Sequence, residues 1–115
     1  MNLAEKIADT GAGRWVTVCS VEDIKPEDVR RWEFGGHIYA IFRSPEGEFY
    51  ATDDICTHEH AHLSDGFVEG DCIECPRHGG RFSYMTGEAL GAPVCIDLRT
   101  HPVRIEGGKI EVLVP

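Results

Sequence analysis

Hydrophobic positions along the 115-residue chain fall in short runs rich in Val, Ile, Phe and Tyr, and several of these alternate with polar residues at every second place. That period puts successive side chains on opposite faces of a half-buried strand. Strands are expected at Trp15–Cys19, Val29–Phe34, His37–Phe42, Phe49–Thr52, Cys72–Glu74, Arg81–Ser83, Val103–Ile105 and Ile110–Val114. Gly35-Gly36 and Gly107-Gly108 each join two runs at hairpin distance, where positive φ is required. Ser20-Val21-Glu22-Asp23 reads as an N-cap with an acid three places on, enough for one short helical turn before Pro26. Nothing else argues strongly for helix. No repeat, low-complexity tract or linker divides the sequence, so residues 1–115 predict one all-β domain with antiparallel pairing.

Charge narrows the partners. Twenty Asp and Glu against eleven Lys and Arg give a formal charge of −9, which repels phosphate backbones and anionic membrane surfaces. Polar residues interrupt every apolar run well short of the roughly 18 that a membrane span needs. Met1 to Gly13 holds one Lys, Glu5 and Asp9 without an apolar h-region, so no secretory signal is expected and a cytoplasmic location is. Five cysteines are too many to ignore, and an odd number cannot all be paired. In a reducing compartment such thiols are buried, catalytic or metal-bound.

One of the two longest stretches without an expected strand runs from Asp53 to Asp71, and a loop of that length in so small a domain is usually functional. Cys56-Thr57-His58 lies in it, and after sixteen intervening residues comes Cys75-Pro76-Arg77-His78. Each segment offers one soft thiolate and one imidazole, so two loops side by side would present two sulfurs and two nitrogens. This set suits a two-iron cluster with Cys56 and Cys75 on one iron and His58 and His78 on the other, the ligation of Rieske centres. Pro76 would stiffen the second loop, and Gly79-Gly80 would let backbone N–H groups approach the sulfides.

With these motifs, and with Leu63-Ser64-Asp65-Gly66 between them, the sequence from about Trp15 to Val114 resembles Rieske-type [2Fe-2S] ferredoxins. Within that family it is most similar to the ferredoxin components of bacterial aromatic ring-hydroxylating oxygenase systems. The resemblance implies a Rieske fold: an antiparallel β-sandwich or barrel base carrying a small cluster-binding subdomain at about 51–86, with the histidine edges at a solvent-facing tip. It implies one [2Fe-2S] cluster and a soluble one-electron carrier between an NAD(P)H-dependent ferredoxin reductase and a terminal oxygenase. No catalytic residues are expected, because the chain leaves little room for a second, mononuclear iron site and a substrate cavity.

Departures from the respiratory and photosynthetic branch are informative. Where that branch carries two further cysteines in a disulfide, this sequence has Ala61 and Arg77; where it carries sulfur-bonding Ser and Tyr hydroxyls, this sequence has Gly80 and Phe82. Fewer hydrogen bonds to sulfur, in a field of negative charge, favour a potential at the low end of the Rieske range, about −150 mV. Ionisation of the His58 and His78 imidazoles would lower it further in alkali. Two alternatives remain at this point: a Rieske redox subunit or feeder of another enzyme (a nitrite reductase small subunit, a cytochrome P450 system), and a structural module with zinc held by the same four residues.

Other residues have simpler expected roles. Cys72-Ile73-Glu74-Cys75 spells C-x2-C, but on a strand the two thiols point to opposite faces, so Cys72 is expected to be a small buried residue, as are Cys19 and Cys95. His60 and His62 are expected to face solvent or pack the loop, and His37 and His101 to lie at the surface. Trp15, Trp32, Phe34, Tyr39, Phe42, Phe49 and Tyr50 are expected to fill or edge the core. From Ser44 to Pro76 there are nine carboxylates and no Lys or Arg, and Glu59, Asp65, Glu69 or Asp71 would steer docking to basic partner surfaces. A carrier that docks by a small tip is most simply a monomer.

Overall fold

The computed structural model describes residues 13–57, 60–77, 79–91 and 96–115. Among the described residues ten strands run in chain order: β1 Arg14–Ser20, β2 Asp28–Phe34, β3 His37–Arg43, β4 Phe49–Asp53, β5 Phe67–Glu69, β6 Cys72–Glu74, β7 Arg81–Ser83, β8 Thr100–His101, β9 Val103–Glu106 and β10 Lys109–Val114. They form three sheets, ordered β1-β10-β9, β2-β3-β4-β8 and β5-β6-β7, with every pairing antiparallel. Single 3-10 turns at Val21–Asp23 and Leu63–Asp65 are the only helical segments among the described residues. No helix there is long and apolar enough to cross a membrane.

All eight expected strands are present, with ends differing by a residue or two as strand termini do. Both glycine pairs turn with positive φ, Gly35 and Gly36 between β2 and β3, Gly107 and Gly108 between β9 and β10. The turn after Ser20 forms as a 3-10 turn, and Asp23 accepts the Ser20 N–H at 3.0 Å. Strands β5 and β8 were not expected. β5 is short, with Phe67 and Glu69 both exposed, and β8 is two residues beside Pro102; each is created by pairing with a partner strand rather than by local pattern.

β3 organises the interior because it is buried on both faces, which is why Ile38-Tyr39-Ala40-Ile41-Phe42 reads as a continuous apolar run. Tyr39 and Ile41 join Ile24, Ala51, Ile110, Val112 and Val114 in one core cluster. Ala40 and Phe42 join Leu63, Ile73, Phe82, Tyr84, Cys56 and Cys75 in the other. Phe42 and Tyr84, both fully buried, stack with ring centroids 4.7 Å apart, and the Tyr84 hydroxyl donates to the Gly70 carbonyl. The alternation of one strand thus separates a base core from a core that reaches the cysteine loops.

Gly66 is required by close approach: a Cβ there would lie 2.1 Å from the Glu74 carbonyl oxygen. The glycine lets the chain leaving the Leu63–Asp65 turn run directly against β6.

Candidate metal centre

Two loops built on one plan carry the cysteines. The Cys56 N–H donates to the Ala61 carbonyl at 2.9 Å, and the Cys75 N–H donates to the Gly80 carbonyl at 2.7 Å, five residues further on in each case. The first loop rises from the Ile55–His62 bridge, the second from the β6–β7 hairpin. Both cysteines are almost wholly buried, 3% and 1% exposed, and belong to the same core cluster. His58, Glu59 and His78 lie outside the described residues, as does Cys95. Two buried thiols at the heads of matched loops form the sulfur half of the expected donor set, and the loops' intervening residues hold the nitrogen half in sequence.

A buried carboxylate anchors the first loop. Asp54, 0% exposed, accepts the Ser64 N–H at 2.8 Å and the Ser64 hydroxyl at 3.0 Å, and its Oδ2 lies 2.6 Å from His62 Nδ1. Its backbone is fixed too, with its N–H on the Ile38 carbonyl and its own carbonyl taking the Leu63 N–H at 2.7 Å. Arg31 of β2 completes the set: Nε donates to Ser64 Oγ at 2.8 Å and stands 3.4 Å from Asp54, while a terminal nitrogen pairs with Asp65 at 2.9 Å. A buried carboxylate is tolerable only when bonded this fully. The Leu63-Ser64-Asp65-Gly66 segment is therefore a clamp, and His62 packs the loop while His60 is exposed. Asp54 and Arg31 escaped sequence reasoning; the one available signal was an acid two residues before Cys56. Across the loop, Thr57 donates its hydroxyl to the Ile96 carbonyl at 2.6 Å.

The remaining expectations divide. Phe82 is fully buried and Gly80 is buried, so no hydroxyl is supplied from either position; Ala61 is buried and Arg77 exposed. Cys72 is only half-buried rather than buried, because β6 borders an open groove between Glu27, Phe67, Glu69 and Arg81. Desolvation and the Asp71 carboxylate push its thiol up, as desolvation does for half-buried Cys19, so neither favours the thiolate a metal needs. Tyr39 and Phe42 are buried, Trp32, Phe34, Phe49 and Tyr50 partly so, and Trp15 lies under the Arg104 guanidinium at 4.4 Å. His101 is not at the surface: it is 6% exposed and, like half-exposed His37, bonded to Asp53. Of the acids proposed for steering, Asp65 pairs with Arg31 and the strongly exposed Glu69 with Arg81.

Residues 14–102 match the family model described as the Rieske [2Fe-2S] domain, and the chain belongs to that family. Its cofactor is accordingly a Rieske-type [2Fe-2S] cluster, which the pair of buried cysteines fits and which displaces the zinc reading. The chain is 44% identical, over 99 residues covering 86% of it and 94% of the relative, to the ferredoxin component of a naphthalene 1,2-dioxygenase system of Pseudomonas aeruginosa. It superposes with a TM-score of 0.82 on the Sphingomonas yanoikuyae B1 ferredoxin, at 36% identity over 87% of this chain and 98% of that one. A TM-score of 0.81, at 39% identity over 86% of this chain and 92% of the other, relates it to a structure titled as a complex of reduced oxygenase and oxidized ferredoxin in carbazole 1,9a-dioxygenase.

Proposed function

We propose that this chain is the ferredoxin component of a bacterial aromatic ring-hydroxylating oxygenase system, an electron-transfer protein and not an enzyme. It takes one electron at a time from an NAD(P)H-dependent ferredoxin reductase and delivers it to the terminal oxygenase. Cys56 and Cys75 ligate one iron and His58 and His78 the other, with residues 51–86 as the cluster-binding subdomain and the rest as its base. The observation that carries the reading is the pair of matched loops headed by buried cysteines, on a chain 44% identical to a naphthalene dioxygenase ferredoxin component.

When bound, the cluster supplies a one-electron couple at a potential above that of an all-cysteine cluster. The chain's own residues do the rest. Burial of Cys56 and Cys75 keeps water and other metals from the thiolates. The Asp54, Ser64 and Arg31 clamp fixes the first loop without using a ligand, so it changes little when the charge between the loops changes. Exposed Asp71, in the β5–β6 turn, adds to the negative surface that steers basic partners, while Glu69 beside it is held by Arg81.

The test is reconstitution. Oxidised, the protein should be brown and contain two irons and two labile sulfides per chain, and after dithionite reduction it should show the rhombic paramagnetic signal of a Rieske centre. With a ring-hydroxylating oxygenase and its reductase it should restore product formation, more slowly at high salt. Replacing His58 or His78 by Ala should abolish the signal. Retention of that signal in either variant, or a failure to transfer electrons to any such oxygenase, would remove the proposal.

A further inference from the structure

On the side of the β2-β3-β4-β8 sheet away from the cysteine loops, three residues converge that electron transfer does not use. Register places them. Tyr39 pairs with Asp53 across β3 and β4, and Ala51 pairs with His101 across β4 and β8. Side chains two apart on a strand share a face, so His37, Tyr39, Asp53 and His101 stand together with Asp53 in the middle. Asp54, one residue on, points to the opposite face and holds the loop clamp.

The geometry points to a second metal site, for one divalent transition ion bound by His37 Nε2, His101 Nε2 and the Asp53 carboxylate. Each Nε2 lies 2.7 Å from the same oxygen, Asp53 Oδ1, and the candidate ligand atoms all fall within 4.8 Å of one another. An ion with bonds of about 2.0–2.2 Å holds its donors about 3.3 Å apart, so it enters once each imidazole draws back by about half an ångström. The ring planes are already set: the Tyr39 ring packs against His37 at 4.6 Å and against His101 at 4.9 Å between centroids. The donors come from three neighbouring strands of a single sheet, which fixes their spacing better than a loop would.

Chemistry narrows the ion. Two imidazoles and one carboxylate suit Zn²⁺, Co²⁺, Ni²⁺ or Fe²⁺, while Ca²⁺ and Mg²⁺ need more oxygen ligands. Access is from one side, since the side chains of His37, Asp53 and His101 are 44%, 27% and 3% exposed. His37 lines a depression together with Arg14 and Arg99, whose charge favours hydroxide or another small anion beside the ion. This site is independent of the electron-carrier reading.

The experiment uses cluster-loaded protein titrated calorimetrically with Zn²⁺ alone, followed by diffraction from zinc-soaked crystals at the zinc absorption edge. One equivalent should bind per chain, with an anomalous peak at bonding distance from both Nε2 atoms and the Asp53 carboxylate, and with iron content and paramagnetic signal unchanged. His37→Gln should weaken binding at least about tenfold while keeping the cluster. Absence of a saturable equivalent, a peak elsewhere, or equal affinity in the variant would overturn the assignment. Should the variant fail to fold, the anomalous map of the unsubstituted protein decides.

Discussion

Asp54→Ala tests whether the clamp, rather than the cluster alone, holds the first loop. The substitution removes an acceptor that takes the Ser64 N–H at 2.8 Å and the Ser64 hydroxyl at 3.0 Å and that lies 2.6 Å from His62 Nδ1 and 3.4 Å from Arg31 Nε. The site is 0% exposed, so the Ser64 N–H loses its partner without gaining water. Losing the hydrogen bonds to this buried carboxylate, discounted because Arg31 and His62 are partly exposed and Arg31 keeps Asp65, costs about 3–5 kcal/mol in all. Unfolding entropy of about 2.1 cal/mol/K per residue, over a chain of this length, converts that into a fall of about 12–20 °C in melting temperature. The assay is loss of visible cluster absorbance on heating, compared at one scan rate because cluster loss makes unfolding irreversible. Ser64→Ala, which removes only the hydroxyl, should cost about 1 kcal/mol, or roughly 4 °C. A melting point of Asp54→Ala within about 3 °C of the unsubstituted protein would refute the clamp.

Three further outcomes follow from other features. Gly66→Ala should lose iron and melt lower by about 1–3 kcal/mol of stability or more, since a Cβ would press on the Glu74 carbonyl at 2.1 Å; unchanged iron content would contradict this. Acid should destabilise the fold. Burial holds the His101 imidazole below its ordinary 6.5 despite the nearby Asp53 carboxylate, so its contribution is present above that pH and is lost as pH falls through the lowered value. Asp53 adds to the loss at lower pH: burial opposes its ionisation, but hydrogen bonds from His101 and His37 outweigh this and hold it below 3.8. Urea midpoints should therefore drop between pH 7.5 and 5, by less in His101→Gln, and a midpoint that rises on acidification would be the wrong sign. Redox titration should give about −150 mV, because neither Gly80 nor Phe82 supplies a hydroxyl, with a further fall in alkali; a value well above 0 mV would contradict it.

The two cysteine loops were legible as a pair because Cys56-Thr57-His58 and Cys75-Pro76-Arg77-His78 are local in sequence, and the structure buries Cys56 and Cys75 in one cluster. β3 was legible as a strand, but its burial on two faces was not, since a continuous apolar run has no face to read. The supports of the site were hidden for a related reason. Arg31 meets Ser64 across 33 positions, and His101 meets Asp53 across 48, contacts that exist only once sheet order and register are fixed. Hence His101 read as a surface residue although the register of β4 and β8 buries it. β5 and β8 are likewise products of pairing, not of their own two or three side chains.

The clamp on the first loop limits how portable a redox module this fold provides. A fragment spanning 51–86 would carry both cysteines, Asp54 and Ser64, yet would leave behind Arg31 on β2 and the Ile38 carbonyl that receives the Asp54 N–H. Transplanting that fragment into another scaffold would therefore require a guanidinium and a strand edge to be rebuilt in the recipient at matching positions. The natural unit of exchange is the loop pair together with the β2–β3 hairpin beneath it.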